Sequence, residues 1–309
     1  MSRQAIITGA MGFIGHQLWR VLSAKDWRVT AIDDLRFVDP TLQRARHEHA
    51  FMGLWNRAQA DDVDLIDRFI NTNDPVLFHL ASHPNQAAVA RDPDNACDNI
   101  VGVTSRLAEY CKREKIRMVY VSSSMVYGNW LDGKAIEEHP CDPVNAYGLY
   151  KKQAEEIVRM TLPGNHVIVR PSAVYGPRDS SSRVIMRWLN AALRGESLHV
   201  DDPNAVLDFT FSEDVAKGLM LVGSSEVTDT YNMTANRGYT LLEAANIVKQ
   251  VADSSSEIVL GKGLSKDQPR RGTLDNSRLA SYFRWYPSTS LHTGLSFTLE
   301  QMRHGHKVL

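Results

Sequence analysis

Short apolar runs separated by amphipathic stretches organise the first half of the chain. Ala5-Ile6-Ile7 follows a polar start and leads into a glycine-rich turn. His16-Gln17-Leu18-Trp19-Arg20-Val21-Leu22 then carries a helical pattern. A second run, Arg28-Val29-Thr30-Ala31-Ile32, ends in Asp33-Asp34. A third spans Val76-Leu77-Phe78-His79-Leu80-Ala81, and a fourth Met118-Val119-Tyr120-Val121. Largely apolar runs of this length suit strands buried on both faces of a sheet. Asn95 to about Glu114 predicts a long amphipathic helix, and Asn145 to about Met160 another, its start marked by Asp142-Pro143. Strand and helix alternate to about residue 170, which predicts an α/β fold built on a parallel, doubly wound sheet.

Beyond Pro177 the pattern loosens. Ser180-Ser181-Ser182 reads as a loop, and Val184 to Arg194 as a helix that Gly195 ends. Leu207 to Phe211 and Thr230 to Met233 read as strands, and Leu241 to Val251 as a helix. These features predict a dinucleotide-binding domain over residues 1–176, with the strands near 207–233 returning to it. Residues 177–309 are then mainly a smaller substrate lobe, with the substrate between the two.

The bulk numbers narrow the function by exclusion. The 309 residues carry 35 Lys and Arg against 36 Asp and Glu, a net charge of −1. That balance gives no electrostatic footprint for nucleic acid or an anionic membrane. No run approaches the ~20 apolar residues of a membrane span, and the chain enters its first strand with no signal peptide. Cys97, Cys111 and Cys141 lack metal-ligand spacing, and the histidines are scattered, so no metal site is expected. Reduced thiols in a cytoplasmic protein are the expectation.

Candidate chemistry begins at Thr8-Gly9-Ala10-Met11-Gly12-Phe13-Ile14-Gly15. A strand, a glycine-rich turn and a helix make a phosphate cradle. The glycines let backbone N–H groups approach a pyrophosphate, and the helix N-terminus adds favourable partial charge. Asp33 stands 18 residues after Gly15, near the ~20 at which an acid accepts hydrogen bonds from the adenosine ribose. A carboxylate there repels a 2′-phosphate, so NAD is the expected cofactor, with Arg36 nearby as the opposing signal.

Tyr147-Gly-Leu-Tyr-Lys151 supplies a base. The i, i+4 spacing puts phenol and ammonium on one face of a helix. A phenol titrates near ~10, and a cation held beside it favours the phenolate, so the pair suits proton abstraction from an alcohol.

These residues, taken together, resemble the extended short-chain dehydrogenase/reductase family, in its nucleotide-sugar epimerase and dehydratase group, with a Rossmann-type sheet. The motifs are Thr8-Gly9-x-x-Gly12-x-x-Gly15, Asp33, His79-Leu80-Ala81, Asn99, Ser122-Ser123-Ser124-Met125-Val126-Tyr127-Gly128, Tyr147-x-x-x-Lys151 and Arg170-Pro171-x-x-Val174-Tyr175-Gly176-Pro177. Tyr231-Asn232 and Trp285-Tyr286-Pro287 complete the series. The resemblance implies Tyr147 as general base, Lys151 as its tuner at the nicotinamide ribose, and Ser123 binding the reacting oxygen, with Ser124 as fallback. It implies an anchoring role for Asn99. It implies cofactor contacts from Gly9, Gly12, Phe13, Ile14, Gly15, Asp33, Asp34, Leu80, Ala81, Ser122, Tyr147, Lys151 and Pro171, with Asp62 and Val63 at the adenine. It also implies a homodimer.

Two positions depart from the family pattern. Ala173 stands where an Asn commonly holds the nucleotide-sugar, and Leu207 where an Arg grips a phosphate. Arg178, Arg183, Arg270 and Arg271 remain as cations for the substrate, and His83 faces either the substrate or solvent.

Dehydratases and decarboxylases of the group place acid directly after the catalytic hydroxyl, where this chain has Ser124 and Met125. An NAD-dependent nucleotide-sugar 4-epimerase is the leading expectation. The alternative is an NAD(P)-dependent dehydrogenase or reductase of a sugar or related alcohol. A non-catalytic dinucleotide sensor ranks behind both.

Overall fold

The computed structural model describes residues 3–50, 55–72, 74–130, 133–263, 266 and 268–305. In chain order the strands begin β1 (Gln4–Thr8), β2 (Arg28–Asp33), β3 (Trp55–Arg57), β4 (Pro75–His79) and β5 (Arg117–Val121). There follow β6 (Lys134–Ala135), β7 (His166–Pro171), β8 (Ala173–Tyr175), β9 (Leu198–Val200) and β10 (Val206–Phe211). The last are β11 (Asp229–Met233), β12 (Gly238–Thr240), β13 (Ile258–Leu260) and β14 (Thr273–Leu274). The helices begin with α1 (Phe13–Ser23), α2 (Pro40–His49), α3 (Val63–Phe69), α4 (Gln86–Arg91), α5 (Pro93–Cys97) and α6 (Val103–Glu114). They continue with α7 (Ala146–Thr161), α8 (Val184–Arg194), α9 (Ser212–Gly223), α10 (Leu241–Ala252), α11 (Ser277–Phe283) and α12 (Leu291–Gly305).

Seven strands form one parallel sheet in the order β11-β7-β5-β4-β1-β2-β3. This is the Rossmann-type, doubly wound arrangement, and its strand order reverses between β1 and β4, where such sheets open a ligand crevice. The period-2 alternation of side chains explains the two cores. Ala5, Ile7, Val76, Phe78, Val119, Val121, Val167 and Val169 pack on the face with Leu18 and Leu22 of α1 and Val215 and Leu219 of α9. Ile6, Leu77, Met118, Tyr120 and Ile168 pack on the other face with Leu107 of α6 and Ala154 and Val158 of α7.

Strand β11 joins the large sheet beside β7, whereas β10 lies in a small sheet ordered β12-β10-β8. A third core fills the lobe around that sheet, with Trp188, Leu189, Phe209, Phe211, Leu241, Val248 and Leu295. The helix expected over Asn95–Glu114 is instead α5, a π-helical turn over Asp98–Gly102, and α6. Gly102 makes room for a side chain within this turn. A Cβ at Gly102 would overlap the Asp98 carboxylate, which Arg106 holds at 2.9 Å. Such turns recur at functional sites, and this one presents Asn99 to Arg36 at 2.8 Å.

Candidate active site

Glycine packing builds the cofactor end. Gly9 leaves β1 at φ +73°, and a Cβ there would lie 2.6 Å from the backbone nitrogen of Ala81. The turn is thereby pressed against Leu80 and Ala81 at the end of β4, and Leu80 N donates to Thr8 O at 3.1 Å. A Cβ on Gly15 would overlap the Gly9 carbonyl. No side chain caps α1 at Gly12, so its first-turn N–H groups, at Phe13, Ile14 and Gly15, face the cradle with the positive end of the helix.

Asp33, buried at the end of β2, fixes the same turn: its Oδ2 accepts from Met11 N at 2.9 Å and its Oδ1 from Leu35 N at 2.7 Å. Burial pushes its carboxyl above the ordinary range, with those two N–H groups opposing. Each oxygen keeps a second acceptor site for a ribose hydroxyl. Asp34 turns instead to Arg36, accepting from its N–H at 2.9 Å and pairing with its guanidinium at 3.3 Å. Arg36 is thus tied to Asp34 and Asn99, and it reaches Gln59 at 3.4 Å.

Asp62 is exposed and caps α3 by accepting from Leu65 N, with Val63 as the first residue of that helix. The residues at the carboxyl end of β3 are Ala58, whose N–H donates to Asp33 O at 3.2 Å, and Gln59. Sequence reading passed over that pair because neither residue is an acid. A glycine turn too tight for side chains, an uncapped helix and a buried acid at the next strand end together fit a dinucleotide.

Tyr147 sits in the first turn of α7, whose N-terminus Asn145 caps by accepting from Gly148 N at 2.9 Å. Ser123 follows β5 and accepts from Met125 N at 3.2 Å, capping a 3₁₀ turn over Ser124–Tyr127. The Ser123 hydroxyl lies near enough to the Tyr147 phenol to pull its pKa down. One turn along α7, the buried Lys151 donates to Val121 O at 3.0 Å and lies 5.0 Å from the Tyr120 ring. Burial pushes its amine down to about 7, against the raising effect of Glu155.

The electrostatics of the phenol differ from the expectation. Burial raises the Tyr147 pKa above its ordinary value; Arg183 and then Ser123 pull it back. Lys151 is absent from the charges acting on it, because an amine drawn down to about 7 has already lost its proton where a phenol raised above its ordinary value titrates. The cation felt by the phenol is Arg183, just before α8.

Beneath this pair lies a buried frame. Arg170 grips Glu155 in two bonds of 2.8 and 2.6 Å and donates to Tyr127 Oη at 2.9 Å. Tyr127 in turn donates to Asn232 at 2.7 Å. Three of the sequence motifs therefore meet in a scaffold behind the catalytic turn. Glu155, four residues beyond Lys151, was missed; the same helical spacing that marks Tyr147 and Lys151 would have found it.

Ser122 N donates to Val169 O at 2.8 Å, and Pro171 ends β7 opposite Met233. His83 is fully buried, with its ring 4.5 Å from that of Phe37 and Nε2 3.5 Å from Asp92, so it is not a solvated loop residue. Arg178, at φ +65°, is turned to α2: it donates to Ala45 O at 3.2 Å, and its carbonyl accepts from Arg46 at 3.1 and 3.0 Å. Arg183 precedes α8 and pairs loosely with Asp179 at 3.6 Å. Arg271 donates to Ser124 Oγ at 3.2 Å, while Arg270 N donates to Asn129 Oδ1. Ala173 and Leu207 both lie in the small sheet, opposite Phe209 and Tyr239. Among the described residues no three His, Cys, Asp or Glu side chains group as a metal site, and no helix is long and apolar enough to cross a membrane.

The family model described as the NAD dependent epimerase/dehydratase family matches residues 5–234. The chain belongs to this family. The cofactor is accordingly NAD, and the glycine cradle with Asp33 fits it. The UDP-glucose 4-epimerase of Mycolicibacterium smegmatis is 28% identical over 97% of this chain and 98% of its own length. UDP-glucuronic acid decarboxylase 2 of Arabidopsis thaliana is 25% identical, over 97% of this chain and 68% of its own. The crystal structure of UDP-glucose 4-epimerase from Thermotoga maritima superposes with a TM-score of 0.88 at 22% identity, covering 98% of this chain and 99% of that one. The last likeness concerns the fold. The protein is an enzyme of this family, whose members include epimerases, decarboxylases and dehydratases.

Proposed function

We propose that the protein is an NAD-dependent nucleotide-sugar 4-epimerase. One observation carries this reading: the two residues after Ser123, where a second acid–base group would stand, carry no carboxylate. Ser124 and Met125 follow Ser123, Ser124 is bonded to Arg271, and Glu155 is bound by Arg170. Epimerisation needs one group that takes a proton and gives it back. Expelling water calls for a further acid and base. Bound NAD supplies a hydride acceptor that returns what it takes. Ser123 holds the sugar C4 oxygen and stabilises the charge that develops on it. Tyr147 removes the hydroxyl proton as C4 becomes a ketone and restores it when the opposite face is reduced. The relatives' work on UDP-sugars supports a nucleotide-sugar substrate.

The reading includes a homodimer through α6 and α7, supported by Leu149 and Met160, 42% and 81% exposed on α7. It includes a cytoplasmic setting, supported by three free cysteines. The test is product analysis by proton NMR after incubation of purified protein with UDP-hexoses and UDP-hexuronates. A mixture of C4 epimers with no free NADH is expected. Free NADH accumulating in step with an oxidised sugar would overturn the epimerase in favour of a dehydrogenase.

A further inference from the structure

The segment after β2 reaches across the mouth of the cofactor crevice. In the large sheet β1 lies between β4 and β2, and the glycine turn stands at its end. Residues 34–38 leave β2 on one side of that turn. Their side chains meet residues that follow β4 on the other side. Arg36 Nη1 donates to Asn99 Oδ1 at 2.8 Å, in the π-helical turn. The ring of Phe37 stands 4.5 Å from that of the buried His83. The ends of β2 and β4 are two strand spacings apart, ~10 Å, so both contacts span the crevice.

Arg36 is held at three points. Besides Asn99, its guanidinium pairs with Asp34 at 3.3 Å and reaches Gln59 Oε1 at 3.4 Å. These partners follow β2, β3 and β4, and they ring the position where Asp33 offers its oxygens to a ribose hydroxyl. The ends of the segment are fixed and its middle is strained. Asp33 Oδ1 accepts from Leu35 N at 2.7 Å, and Asp39 caps α2 by accepting from Thr41 N at 2.9 Å, with Pro40 as the first helical residue. Between these anchors Leu35 takes φ +64°, a left-handed conformation that a leucine side chain disfavours. Strain of this kind persists only where its surroundings impose it, and it collects at clamps and switches.

We propose that residues 34–38 form a strap across the bound dinucleotide, latched by Arg36 on Asn99 and by Phe37 on His83, and that NAD enters and leaves only when the strap opens. The strap concerns the cofactor, so it stands whichever reaction the site performs. It assigns Arg36 to closure rather than to a 2′-phosphate. A latch that joins protein to protein acts alike on the loaded and the free state. It therefore governs both rates of exchange and leaves the affinity nearly as it was.

The test measures NAD exchange on the whole protein by stopped flow. Association is followed by tryptophan fluorescence, and dissociation by chasing NAD-loaded protein with excess NADH. Arg36→Ala and Phe37→Ala are each expected to raise both rates by about tenfold or more, with Kd changed by less than about threefold. Arg36 and Phe37 are exposed, so neither variant removes a core residue. Asn99→Ala opens the same latch from the far side. It is expected to reproduce Arg36→Ala and to add nothing to it in the double variant. Unchanged rates overturn the proposal. Faster dissociation with unchanged association overturns it too, by making Arg36 a direct contact of the dinucleotide. An effect of Arg36→Ala confined to NADP overturns it by returning the guanidinium to a 2′-phosphate. Additive effects of Arg36→Ala and Asn99→Ala overturn it by showing that the two do not act as one latch.

Discussion

Lys151 donates its ammonium to the backbone carbonyl of Val121 at 3.0 Å, beneath the sheet end that carries Ser123. Burial holds its pKa near 7, against 10.5 for a free amine. Between those values the folded protein binds fewer protons at this site than the unfolded chain does, so stability rises with pH across the window. Below pH ~7 both states are charged and the penalty for burying the ammonium is present in full. Lys151→Met is expected to flatten this dependence by a few kcal/mol between pH 7 and 10. Urea midpoints measured across that range check it; parallel curves for variant and wild type would show that Lys151 keeps its ordinary titration.

Tyr147 has a phenol raised by burial and pulled back by Arg183 and Ser123. In the proposed reaction, removal of its hydroxyl takes away the group that carries the proton. Tyr147→Phe is expected to lower kcat by at least ~10², with NAD affinity little changed because the glycine cradle and Asp33 hold the pyrophosphate and the adenosine ribose without it. Turnover and NAD titration on the same preparation decide it. Unchanged biological activity in this variant would favour a dinucleotide sensor over an enzyme.

Glu155 links the helix of the base to the frame behind it. Burial alone would raise its carboxyl; the two bonds from Arg170 outweigh that and hold it ionised. Glu155→Gln leaves Arg170 buried without its counter-charge, which is expected to destabilise the protein by about 3–5 kcal/mol. Thermal or urea unfolding reads this directly, and a loss below 1 kcal/mol would mean that Arg170 finds another acceptor.

What the sequence made legible was local. Tyr147 and Lys151 lie within one turn of helix, Gly9 to Gly15 within one loop, and Asp33 at the end of one apolar run, so period and spacing reveal them. Gly195 ends α8 at φ +69° as its position foretold. The rest depends on which distant segments meet. Arg271, a candidate cation in the sequence, reaches Ser124 across 147 residues, and Arg46, which no pattern marks, reaches Arg178 across 132. The resemblance implies Asp62 and Val63 at the adenine, and the fold places them at the start of α3, with Ala58 and Gln59 at the strand end before them. The single helix over 95–114 came from an apolar stripe that cannot report the Asp98–Gly102 widening.

Arg46 is a buried side chain on the otherwise polar α2, and it joins the glycine turn to the loop before α8. Its Nη1 donates to Met11 O at 2.9 Å, while Nε and Nη2 donate to Arg178 O at 3.1 and 3.0 Å. Met11 is thereby held from both sides, since its N–H is bound by Asp33. Arg178 returns the contact by donating to Ala45 O. Loss of the guanidinium leaves two buried carbonyls without their charged donors, at about 1.5–3 kcal/mol each. Arg46→Gln is expected to weaken NAD binding by tenfold or more and to lower kcat/KM, because the 178–183 loop that positions Arg183 near Tyr147 loses its tether. Arg46→Lys, with one head group for two carbonyls, is expected to recover part of both. Calorimetric titration of NAD beside a melting curve separates the outcomes. A lowered Tm with unchanged NAD affinity would confine Arg46 to holding the lobes together, and no change in either would refute the coupling.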